Sequence, residues 1–164
     1  KRRKDRVKHL MENWRKYMKE AVMYHSTSPE NAETISSQGL KVGMKSAHTT
    51  AGEWADRFYG TRPVYMSVEK GKYEGQPMAV TISGLDLVAD LPGLVDTGAY
   101  HGEEGMYWEE GEQPPMMDDY VDEDFMIYYD DLLTPDHPVA EAAIKLTGTA
   151  ATLEDIPAEK IKLS

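Results

Sequence analysis

The stretch VMYHSTSPENAETISSQGL, Val22 to Leu40, runs from an apolar pair into a histidine, two hydroxyl residues and then a segment of helical character. Met23-Tyr24-His25-Ser26 has the length and composition of a short strand. Ser28 offers a side-chain oxygen to cap a helix, Pro29 suits its first position, and Glu30 puts negative charge where the first N–H groups are unpaired. Ala32 and Ile35 supply an inward face, and Gly39 fits the residue just beyond a helix C-terminus. The segment therefore predicts strand, turn and helix, with His25 at the turn. Capping accounts for Ser28 to Gly39. It gives no local reason for His25-Ser26-Thr27.

Downstream, SAHTT (46–50) predicts a second strand and AGEWADRFYG (51–60) a short helix with Trp54, Ala55 and Phe58 or Tyr59 facing inward. RPVYMSVEK and PMAVTISGLDLV alternate and are rich in β-branched residues, the strongest strand signals in the chain. Residues 93–137 are long, acidic and punctuated by Gly and Pro, and read as an insertion outside the core. FMIYYDDLL predicts a strand with a turn at Thr134-Pro135-Asp136. EAAIKLTG and AEKIKLS read as closing strands. A helix, short α/β units and then strands give an α+β class.

The 164 residues suffice for one domain with a core of its own. KRRKDRVKHLMENWRKYMKEAV carries a complete apolar stripe, from Val7 and Leu10 through Trp14 to Val22, and predicts a basic amphipathic helix over 1–21 before a domain over 22–164. A complete stripe wants a partner. The segment reads as packing on its own domain, or as a link to something upstream, rather than as a nucleic-acid or membrane arm.

Net charge is −11, unevenly distributed. Residues 1–20 hold nine Lys/Arg against three acids, and residues 73–144 contain no Lys or Arg. That body repels duplex nucleic acid and favours a basic protein or a small molecule as partner. No apolar run is long enough to cross a membrane as a helix. Cysteine is absent, which excludes disulfides, thiolate metal sites and cysteine nucleophiles, and agrees with a reducing, cytoplasmic setting.

Familiar site motifs are missing. There is no G-x-G-x-x-G, Walker loop, H-E-x-x-H or G-x-S-x-G. DDYVDED lacks the spacing and glycine of an EF-hand loop and reads as a solvated acidic face, so no metal is expected.

YHSTSPENAETISSQGL resembles the first motif of the ADP-ribosyltransferase superfamily: an aromatic, His, a small residue, Thr or Ser, and a short helix closed by Gly-Leu. SAHTTAGEWADRFYGTRPVYMSVEKG continues the likeness, and EAAIKLTGTAATLEDIPAEKIKLS is similar to the family's close. The resemblance spans Val22 to Ser164, with an insertion around 93–137. It implies a split β-sheet core holding NAD as a substrate, and transfer of ADP-ribose to a macromolecular acceptor, here a basic protein. It gives His25 and Thr27 to the nicotinamide ribose and Ser26, where the family usually has Gly, to the carboxamide. Tyr59 stacks on nicotinamide, with Phe58 and Tyr65 as competitors, while His48 and Arg62 serve the phosphates or the acceptor. Glu141 is the catalytic acid, with Glu123 as its rival. The reaction passes through an oxocarbenium-like state that a nearby carboxylate stabilises. His101 and His137 read as surface residues. Two alternatives stand beside this reading. One is a non-enzymatic acidic interaction or inhibitor protein on the same fold. The other, an RNA 2′-phosphotransferase-like enzyme, fits less well, since KSAHTT lacks that branch's arginine and second histidine.

Overall fold

The computed structural model describes residues 21–43 and 53–164. The basic segment 1–20 and the SAHTT stretch with His48 lie outside them. The described chain is α+β: two antiparallel sheets with a few short helices.

β1 (Val22–Thr27) leads into α1 (Pro29–Gln38) as the opening stretch predicts. Ser28 caps α1 by accepting from the Asn31 amide, and Ala32 and Ile35 are its buried residues. The short helix α2 (Glu53–Tyr59) precedes β2 (Val64–Ser67), and β3 (Gln76–Thr81) and β4 (Leu87–Ala89) follow. Near the C-terminus come β8 (Thr149–Thr152) and β9 (Ile161–Leu163). These six strands form one sheet in the order β4-β8-β2-β1-β3-β9.

Both faces of the sheet are covered. Met23, Met66, Met78 and Val80 meet Ala32 and Ile35 of α1, with Leu40, Ile156 and Ile161 closing that side. Unbranched methionines fill the irregular gap between a twisted sheet and a short helix. On the other face Val88 and Ala151 belong to a second core with Ala55 and Tyr59 of α2, Leu91 and Leu94.

Two expectations are corrected here. Residues 93–137 are not an appendage. After α3 (Leu91–Asp96), the strands β5 (Tyr100–His101), β6 (Gly105–Tyr107) and β7 (Met126–Tyr128) form a three-stranded antiparallel sheet, followed by α4 (Tyr129–Leu132). Met106, Trp108, Met117, Ile127 and Leu132 of this region are nearly or fully buried in the second core. Its acids occupy the solvent side of short elements, which hides the alternation in the sequence. EAAIKLTG, in turn, is not a strand but most of α5 (Pro138–Thr147). His137 caps α5 through its Nδ1 and Gly148 ends it in the left-handed conformation. A run of Ala and Ile without polar alternation fits a buried helix as well as a strand, and the caps decide it.

Candidate functional site

The main sheet is weakest at the seam beside His25. Six consecutive register pairs join β1 to β3, but β1 meets β2 at a single pair, Tyr24 opposite Ser67. Beyond Tyr24 no further register pair joins the two strands. At this seam His25 Nδ1 lies 2.8 Å from the Tyr65 carbonyl oxygen. A carbonyl only accepts, so Nδ1 carries the hydrogen, and in the neutral ring Nε2 is left with its lone pair as an acceptor. Burial pushes the His25 pKa below its ordinary value, against the opposing effect of the Tyr65 bond. The imidazole is therefore neutral at neutral pH.

The connection from β2 to β3 must cross β1, which lies between them in the sheet. It crosses on the face to which Ser26 points, and Ser26 Oγ donates to the Tyr73 carbonyl at 3.1 Å. Gly75 closes this loop at φ +118, where any Cβ would stand 2.6 Å from the Thr27 carbonyl oxygen. Only glycine lets the loop lie so close to the end of β1.

Beneath the loop is a polar cluster that sequence reasoning missed. Asp90, 5% exposed, caps α3 by accepting from the Gly93 amide and takes the Thr149 hydroxyl at 2.7 Å. The side chain of Tyr73 reaches Thr149. Burial, with the nearby charge of Asp90, pushes the phenols of Tyr65 and Tyr73 well above their usual range. The Tyr65 hydroxyl is buried next to that of Tyr59. The sequence signal for Asp90 was faint: an acid between the strand LVA and the dipeptide Leu91-Pro92, the pattern of a helix N-cap.

Burial raises the Asp90 carboxyl above the usual carboxylate range and Asp96 adds to this, while Thr149, Gly93 and the charge of Lys72 oppose it. The stability linked to this group is complete below the ordinary value of 3.8 and falls as pH rises toward the higher folded value. Asparagine caps helices as well as aspartate does and carries no charge to bury. Asp90→Asn should therefore unfold within about 1 kcal/mol of the parent or above it at neutral pH. Urea denaturation across the acidic range should show the decline with rising pH removed in the variant.

The other expected residues are placed as follows. Tyr59 is enclosed by the core. Its hydroxyl donates to the Ala89 carbonyl at 2.6 Å and accepts from the Leu91 amide at 2.9 Å, fastening α2 to the β4–α3 turn. Tyr65, edge-to-face with it at 6.2 Å, is only half-buried. Tyr59→Phe should leave a buried carbonyl and a buried amide unpaired, at a cost of about 1–3 kcal/mol in denaturant titrations. Arg62 pairs with Asp56 at 3.8 Å. Phe58 stacks on Tyr129. Thr27 ends β1 opposite Gln76. Glu141 is buried on α5 at 6% exposure. Glu123 is exposed in the turn before β7. His101 is exposed but stacks on Trp54 at 4.0 Å. His137 is half-buried, caps α5 and faces Asp131. No group of three or more potential metal-ligating side chains occurs among the described residues.

No family model matches the chain, and no curated protein or solved structure matches it.

Proposed function

We propose that the chain binds NAD at the β1–β2 seam and transfers its ADP-ribose unit to a basic protein acceptor. The observation that carries this reading is His25, a neutral imidazole held by Tyr65 at the seam where β1 and β2 share a single register pair. Its Nε2 lone pair can accept from a ribose hydroxyl. Tyr65 meets His25 through its backbone carbonyl, while its ring packs beside Tyr59 on the other face of the sheet.

In the reaction the C1′–N bond breaks and its electron pair stays with nicotinamide, which leaves neutral. The ribose carries the developing positive charge. An acceptor nucleophile then bonds to C1′ and gives its proton to a carboxylate or to water. Chain order assigns that carboxylate to Glu141. Asp90 is its rival: it takes the Thr149 hydroxyl, the Tyr73 side chain reaches Thr149, and the Tyr73 carbonyl takes the hydroxyl of Ser26, the residue beside His25. Mass spectrometry of basic proteins incubated with the chain and NAD should find the mass of one ADP-ribose unit added, with nicotinamide released in equal amount. Activity lost in Asp90→Asn and kept in Glu141→Gln assigns the acid to Asp90, and the reverse assigns it to Glu141. Neither product under any condition contradicts the proposal.

A second reading, an acidic interaction protein without catalysis, is favoured by one observation. Both Asp90 oxygens and the Tyr59 hydroxyl already have partners within the fold. Binding of a basic partner with no NAD turnover would establish it.

A further inference from the structure

The three-stranded sheet has an outer face whose tyrosines stay about half exposed. Register pairs place Tyr100 opposite Tyr107 and Tyr128 opposite Gly105, so the three tyrosines share one side while Met106 and Ile127 fill the core on the other. Tyr100, Tyr107 and Tyr128 are 49%, 43% and 45% exposed. Tyr100 and Tyr107 form a tilted pair with ring centroids 5.7 Å apart. Each end of the row is tied to an acid: the Tyr100 hydroxyl donates to Glu109 at 3.5 Å and the Tyr128 hydroxyl to Asp122 at 3.3 Å. Donation to a carboxylate holds the phenol in place and enriches its ring in electron density. Residues 73–144, which build this face, contain no lysine or arginine. Single exposed tyrosines are ordinary, but three on one short sheet, two of them donating to carboxylates, form a surface of defined chemistry.

We infer that this tyrosine face docks a Lys/Arg-rich segment of another protein, with the rings receiving the cationic groups and the rim acids neutralising them. Guanidinium and ammonium groups bind over electron-rich aromatic faces, and fixed surrounding carboxylates add attraction and orientation. An aliphatic ligand would leave the carboxylates unused, and an anion would be repelled. The inference is independent of NAD chemistry and holds if the chain turns over no NAD.

The test titrates the full chain with a fluorescent peptide of alternating arginine, lysine and glycine at several salt concentrations, then cross-links the complex with a carbodiimide and maps the joined residues. The expected result is a saturable, salt-sensitive affinity that falls about tenfold in the double variant Tyr100→Ala/Tyr107→Ala, as loss of two cation–π contacts predicts. Peptide lysines should be joined to Glu103 or Glu109. The double variant Tyr100→Phe/Tyr107→Phe should keep most of the affinity, which separates loss of rings from loss of fold. Equal affinity in the alanine variant would mean a diffuse acidic field and overturns the inference. Cross-links to the lysines of residues 1–20, or between two copies of the chain, in place of the peptide would overturn it too by identifying a different occupant.

Discussion

Gly39→Ala should lower the stability of the folded chain by about 3 kcal/mol, combining backbone strain with a steric clash of similar size. Gly39 adopts φ 84, ψ 178, a region almost reserved for glycine. A methyl there would stand 2.3 Å from the Ile156 carbonyl oxygen. That carbonyl accepts from the Leu40 amide, and the Ile156 amide donates back to Leu40, an isolated bridge tying the end of α1 to the segment before β9. The clash cannot be relieved by a side-chain rotation, because both groups are backbone. The bridge must open, which loosens α1 from Ile156 and Ile161 in the first core. Thermal and urea denaturation measure the loss. Gly60→Ala is the natural comparison, since Gly60 also has positive φ (77) but open space around its would-be Cβ. It should cost about 1 kcal/mol, the strain alone.

His25→Ala should weaken NAD at least tenfold, about 1.4 kcal/mol, and reduce turnover further. Two effects are mixed in that variant, because the Tyr65 carbonyl also loses its donor at the seam. His25→Asn separates them. The asparagine amide can take the place of Nδ1–H and satisfy Tyr65, but it offers nothing where Nε2 stood. It should keep most of the stability and lose NAD binding as alanine does. The pH dependence follows from the lowered pKa of His25. Between 6.5 and the folded value the unfolded chain binds the proton and the folded one does not, so stability falls as pH drops through that window. NAD affinity should be flat above it and fall below it, once protonation removes the Nε2 acceptor.

The opening stretch was read correctly as strand, cap and helix because each step depends on neighbours in sequence, but His25, expected at the turn, lies within β1 opposite Met78, since β1 runs on to Thr27. Ser28, Pro29 and Gly39 act within one turn of the backbone. Gly39 was identified for the right place and an incomplete reason: its indispensability comes from Ile156, which is 117 positions away. The nature of α5 and the core role of residues 93–137 were misread for a related cause. Glu141-Ala-Ala-Ile144 opens like a strand while the helix cap lies upstream at His137, and β5, β6 and β7 are two or three residues long, too short to alternate. His25 could be singled out from its setting, but the single-pair seam between β1 and β2 could not, since strand order is written in no local pattern. Asp90 and Thr149 were missed because their pairing spans 59 positions and each alone passes for a cap or a strand residue.

The account rests most directly on the claim that His25 marks an NAD site at the β1–β2 seam. Calorimetric titration of NAD against the full chain, His25→Asn and Tyr128→Ala tests it at once. The account predicts saturable binding to the parent and to Tyr128→Ala, and binding at least tenfold weaker in a folded His25→Asn. No binding to the parent, or equal binding by His25→Asn and the parent, would contradict it.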